Sequence, residues 1–191
     1  MSEKENLKII AFVGMSGSGK SVAVDFLTDK GIPKVYFGGM IYKEMEKRGI
    51  ERTPDGESEK KFREMIRETE GKDWVVKQVI DEVYNLADAG QKRIVLDGVY
   101  SWTEMKTLKH EFPGAMTFVA IVVPKRLRYK RVASRPDRPF NEEEIKERDR
   151  SEIENLEKGG PIAAADYYVL NDGTVDDMKK KLAEILEEIK F

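Results

Sequence analysis

The stretch FVGMSGSGKSVAV, residues 12–24, passes from apolar residues through three glycines into a helical pattern, and few architectures accept that order. Gly14, four further residues, then Gly19, Lys20 and Ser21 satisfy G-x-x-x-x-G-K-[ST], set after a predicted strand and before a predicted helix. The chemistry asks for these residue types. Glycines let backbone N–H groups converge on phosphate oxygens, a lysine at position 20 reaches the β- and γ-phosphates, and the Ser21 hydroxyl can ligate Mg²⁺ while the helix N-terminus adds its dipole. The residues expected to hold a triphosphate are therefore Gly14, Ser16, Gly17, Ser18, Gly19, Lys20, Ser21 and Val22.

The rest of the chain agrees with that frame. Short apolar runs at 8–14, 34–38, 93–98, 116–123 and 167–171 are rich in Val and Ile, as strands buried on both faces are, and each is followed by a helical stretch. The last helix begins at a capping pattern of Thr174 and Asp177 and carries Val175, Met178, Leu182, Ile185, Leu186 and Ile189 on one face. The alternation predicts a three-layer α/β P-loop NTPase fold: a five-stranded parallel sheet with helices on both faces. With 191 residues, 40% of them hydrophobic, one domain spanning residues 1–191 is expected. Two polar regions interrupt the rhythm. Residues 49–72 have few apolar anchors and read as a solvated helix pair or a substrate-side insertion; residues 125–158 hold seven arginines between Arg126 and Arg150 and read as a helical lid.

Several function classes are excluded or disfavoured. The 34 basic and 36 acidic residues nearly cancel and form no polybasic tail, so neither nucleic acid nor an anionic membrane is an expected partner. The chain has no cysteine and one histidine, which removes disulfides, thiolate metal sites and cysteine nucleophiles; His110 falls at an expected helix end. The longest apolar run, FVAIVV at 118–123, is far below the ~20 residues of a membrane span, and the polar start lacks an apolar export segment. A cytoplasmic protein, monomeric or a small homo-oligomer, is expected.

The second acid for magnesium should stand at the end of a neighbouring strand, and RIVLDG puts Asp97 there. Ser21 and Asp97 are thus the candidate metal residues. A GTPase switch is disfavoured, because DGVY has Tyr100 where that motif needs glycine and no N-K-x-D element occurs. In the arginine-rich region a helix would set Arg128, Arg131 and Arg135 at i, i+3 and i+7 on one face; Pro136 and Pro139 end it and an Asn141–Glu144 capping pattern starts the next helix. Arginine forks suit a phosphoryl group in transfer, so Arg131 and Arg135 join Lys20 and Asp97 as catalytic candidates.

The loop GMSGSGKS, the LDG strand end, the arginine-rich segment after the fourth strand and ADYYVLNDG together resemble the small P-loop kinases, the nucleoside monophosphate kinase and dephospho-CoA kinase group. The likeness spans nearly the whole chain and is closest to uncharacterised dephospho-CoA-kinase-like proteins. It implies ATP- and Mg²⁺-dependent phosphoryl transfer to a small nucleotide-like acceptor, a mobile arginine lid, and an adenine contact near Asn171, Asp172 and Gly173. One departure stands out. Where that group carries an Asp and often an Arg after the second strand, this chain reads FGGMIYKEM, with Gly39 and Tyr42 at those positions. Tyr42, Lys43, Tyr100 and Trp102 are candidates for an alternative acceptor wall, and an ATP-binding sensor without acceptor chemistry is the competing reading.

Overall fold

A computed structural model describes residues 6–53, 56–136 and 139–191. Its centre is β1 (Lys8–Val13), whose side chains alternate: Ile9, Ala11 and Val13 enter one core, Ile10 and Phe12 the other. That period of two is what a strand buried on both faces requires. β1 pairs with β3 (Arg93–Asp97) and β4 (Met116–Val122), while β2 (Lys34–Tyr36) and β5 (Tyr167–Leu170) close the edges. The order is β2-β3-β1-β4-β5, with every pair parallel, so the expected five-stranded sheet is present.

Helices cover both faces. On one, α1 (Lys20–Thr28) brings Ala23, Val24 and Leu27, and α9 (Val175–Glu188) brings Met178 and Leu182, onto Ile10, Phe12, Val119 and Ile121. On the other, α4 (Trp74–Asp88) packs Val76, Val79 and Val83, and α5 (Trp102–Glu111) packs Met105 and Leu108, against Ile9, Ala11, Ile94 and Phe118. Asp97 sits beside Phe12 in the β1–β3 register, so the chain leaving β1 and the chain leaving β3 emerge next to each other. In open parallel sheets ligands bind in such a crevice, beyond the carboxyl ends of the strands.

Three elements differ from the sequence reading. The strand expected over 34–38 stops at Tyr36, because α2 (Phe37–Lys47) starts at once. The Tyr36 ring folds back over its first turn, where a Cβ on Gly38 would lie 2.5 Å from the Tyr36 hydroxyl. The insertion 49–72 contains α3 (Glu57–Thr69), which is anchored: Phe62 and Ile66 join Ile41 and Met45 of α2 in a separate small core. Pro54 and Asp55 of that insertion, and Asp137 and Arg138 of the arginine-rich segment, lie outside the described residues. The lid segment 125–158 forms α6 (Lys125–Ala133) and α7 (Glu142–Glu154), α8 (Gly159–Ala163) follows it, and α6 ends before Arg135. The capping boxes at Asn141–Glu144 and Thr174–Asp177 are both formed. Among the described residues no helix is long and apolar enough to cross a membrane.

Candidate functional site

The loop between β1 and α1 has two positions that only glycine can fill. Gly17 and Gly19 have φ of +83° and +99°, in the left-handed region, and a Cβ would lie 2.5 Å from Val132 Cγ2 at Gly17 and 2.5 Å from Asn171 Nδ2 at Gly19. Both torsion and space therefore demand glycine. The start of α1 is unlike those of α5, α7 and α9. Each of these has a complete capping box, whereas Gly19 caps α1 with no side chain and no acidic residue stands in its first turn, a start that α2, α4 and α6 share. An uncapped helix N-terminus with free dipole charge is the ordinary receptor for phosphate.

A cavity of about 630 Å³ opens above this loop. It brings together most of the residues singled out from sequence: Ser16, Gly17, Gly19, Lys20, Ser21 and Val22 of the loop, Asp97 at the end of β3, and Arg131 and Arg135. Gly14, Ser18, Asn171 and Gly173 are not in its wall. Gly14 gives its carbonyl to Lys20 Nζ at 2.7 Å, with the Met15 carbonyl at 3.1 Å. Ser18 is buried, and its hydroxyl has no partner among the described residues. Asn171 stands behind the loop, donating from Nδ2 to the Ser18 carbonyl at 2.9 Å in the space that Gly19 leaves open. Its own carbonyl accepts from Arg131 Nη1 at 2.8 Å, and that of Gly173 from Nη2 at 3.4 Å. The segment expected to touch adenine thus braces the loop and one arginine.

Arg128 departs from the shared face expected with Arg131 and Arg135. It is buried, grips both carboxylate oxygens of Asp149 on α7, and donates from Nη1 to the Ser16 carbonyl at 3.0 Å. α6 and α7 are therefore tied to the phosphate loop in this structure. Of the four residues considered for an acceptor wall, Tyr100 lines the cavity. Tyr42 packs against Tyr36 and under Arg52, Lys43 pairs with Glu82, and Trp102 lies against Gly160. The missing acid at Gly39 has a steric counterpart: a Cβ there would lie 3.3 Å from Tyr36 Cδ1.

Five wall residues escaped the sequence reading: Lys34, Tyr36, Arg148, Glu152 and Lys158. The Arg148–Glu152 pair, four apart in an evident helix, was the one local signal for any of them.

Electrostatics follows from burial. Desolvation, reinforced by the Lys158 charge, lowers the Lys20 ammonium to about 8 against the opposing pull of Glu152 and Asp97. Desolvation pushes the Asp97 carboxyl up, opposed by Lys34 and Lys20. Tyr100 is pushed up to about 12, chiefly by burial, and stays a neutral phenol. Magnesium keeps several waters and takes one or two protein oxygens beside phosphate. Among the described residues no cluster of three His, Cys, Asp or Glu could cage a metal, and the sparse pair of Ser21 and Asp97 in one cavity fits that habit.

Sheet order, loop and cavity define an α/β protein with the fold of the small P-loop kinases. Shikimate kinase from Bacteroides thetaiotaomicron superposes with a TM-score of 0.59 at 11% identity, covering 96% of this chain and 99% of its own. Dephospho-CoA kinase from Campylobacter jejuni gives 0.57 at 16% identity, covering 96% and 98%. No protein-family model matches. Sequence relatives place the chain more closely: it is 34% identical over 184 residues to a UPF0200 protein of Thermococcus onnurineus, covering 95% of this chain and 97% of the relative. A UPF0200 protein of Sulfurisphaera tokodaii is 35% identical over 186 residues, covering 96% and 98%. The chain belongs to the UPF0200 family.

Proposed function

We propose that this protein is an ATP- and Mg²⁺-dependent kinase that transfers the γ-phosphoryl group to a small nucleotide-like acceptor. The observation that carries the reading is the convergence of Lys20, Ser21, Asp97, Arg131 and Arg135 on one cavity above an uncapped helix N-terminus. In this reading the first-turn N–H groups of α1 cradle the phosphates. Lys20 exchanges the Gly14 and Met15 carbonyls for phosphate oxygens. Arg135, beyond the end of α6, and Arg131, braced by the Asn171 carbonyl, balance the charge that spreads over the transferring group. The Ser21 hydroxyl and the Asp97 carboxylate would hold magnesium, which would supply further charge neutralisation at the phosphates. The acceptor approaches from the β2–β3 side, between Tyr36 and Tyr100.

The competing reading, a nucleotide-binding sensor without acceptor chemistry, draws on one observation: the Gly38–Gly39 start of α2 lies under the Tyr36 ring and bears no acid. A screen of nucleosides, nucleotides and dephospho-CoA for acceptor-dependent ADP release separates the two. The kinase reading expects one acceptor class to raise ADP release well above the rate with ATP alone. Slow hydrolysis indifferent to every acceptor would instead support the sensor.

A further inference from the structure

Arg148 and Lys158 stand in the cavity wall, and the nucleotide contacts described above employ neither. Arg148 donates through Nε to Glu152 Oε1 at 3.1 Å; among the described residues its two Nη nitrogens have no partner. Lys158, with only 6% of its side chain exposed, gives Nζ to the same oxygen at 2.7 Å and lies 4.3 Å from the centre of the Tyr100 ring. Glu152 is held from a third direction, because the Ser16 N–H of the phosphate loop donates to Oε2 at 2.9 Å. A carboxylate 1% exposed thus fixes two cations against the loop and leaves an arginine fork presented to the cavity.

Charge balance points the same way. Among the described residues the wall carries Lys20, Lys34, Arg131, Arg135, Arg148 and Lys158 against two carboxylates, Asp97 and Glu152. A magnesium-bound triphosphate leaves part of that excess uncompensated. Position then decides where the remaining charge falls. Arg131 is tied to Asn171 beyond β5, while Lys158 rests on Tyr100 beyond β3, on the side where Tyr36 and Lys34 also open. An arginine fork beside a fixed ammonium matches the planar, multi-oxygen shape of a phosphate or carboxylate.

We propose that Arg148 and Lys158, with Glu152 as their positioning residue, form an oxyanion subsite that binds a phosphate or carboxylate of the phosphoryl acceptor, apart from the oxygen that is phosphorylated. This rests on the kinase reading and adds a requirement to it: the acceptor is itself an anion. The test is calorimetry on the protein saturated with the magnesium complex of β,γ-imido-ATP, titrated with inorganic phosphate and, separately, with malonate. At least one anion should bind the loaded protein. Phosphate alone would mark a phosphoryl-bearing acceptor, and malonate alone a carboxylate. Arg148→Gln, at a side chain half exposed in the parent, should weaken that anion by about tenfold while the affinity for the analogue stays within about twofold. Lys158→Met should act likewise; if it fails to fold, Arg148→Gln carries the test. Absence of anion binding to the loaded parent, or undiminished binding by Arg148→Gln, overturns the subsite and leaves the kinase reading standing. A parent that does not bind the analogue overturns that reading, and the subsite with it.

Discussion

α3 and α7 are both 13-residue helices crowded with charge, and in sequence they look like the same kind of surface element. They differ in what they bury. α3 turns Phe62 and Ile66 onto Ile41 and Met45 of α2, away from the cavity, and its buried Glu59 is answered by Arg52 on the outside. α7 buries one isoleucine, Ile145, and spends the rest of its inner face on Asp149 and Glu152, which hold Arg128 and the Ser16 N–H of the phosphate loop. Apolar anchors make a helix part of the scaffold. Buried carboxylates aimed at a loop make it part of the site, because their ion pairs survive only if the geometry around the loop is kept.

The contrast breaks most visibly at Phe62. Phe62→Ala should cost about 3–5 kcal/mol of stability in urea titrations, from lost transfer and a residual cavity, with no change in the nucleotide Kd of the folded protein. A weakened Kd would mean that α3 reaches the site after all. Glu152→Gln should cost less, about 1–3 kcal/mol, as the charged partner of Lys158 and Arg148 is lost. Its signature is in the pH dependence. Burial pushes the Glu152 carboxyl up, but Lys158, the Ser16 N–H and Arg148 outweigh it and hold the group below its ordinary 4.5. The unfolded chain then binds the proton more readily, so this contribution is complete above about 4.5 and is lost as pH falls through the lower folded value. Denaturation midpoints measured as pH falls below about 4.5 should therefore drop more steeply for the parent than for Glu152→Gln; equal slopes would deny Glu152 its place in the latch. The smallest effect is expected at the arginines. Arg131→Lys and Arg135→Lys should each lower kcat and kcat/KM together by roughly tenfold, leaving the ATP dissociation constant near that of the parent. If steady-state kinetics show a raised KM with kcat unchanged, these arginines bind substrate without favouring the transition state.

The position of the glycine loop between β1 and α1, and of Asp97 at the end of β3, was legible in sequence because both signals are local: a glycine spacing between a strand and a helix, and an acid at the end of an apolar run. The sheet was legible for the same reason, down to the capping boxes at Asn141 and Thr174. What escaped depends on contacts far apart in the chain. Glu152 meets Ser16 across 136 residues, and Asn171 meets Ser18 across 153, so neither is visible from a window of neighbouring residues. Asn171, expected from the resemblance in an adenine-contacting turn, also fills the space left by the missing Cβ of Gly19, a role that no local pattern announces. Arg128 resembled its neighbours in helical spacing, but Asp149 on the next helix turned it inward.

Lys20 is where the account is most exposed. Its ammonium, lowered to about 8 from an ordinary 10.5 mainly by desolvation, should be drawn back up when phosphate oxygens replace the Gly14 and Met15 carbonyls. Between those two values the free protein lacks a proton that the complex holds. Calorimetry of Mg-ATP binding near pH 9, in buffers of different ionisation enthalpy, should therefore show proton uptake by the parent. Lys20→Ala should remain folded, lose most of its affinity and take up no proton. Unchanged ATP affinity in a folded Lys20→Ala protein would contradict the assignment of this loop as the triphosphate site.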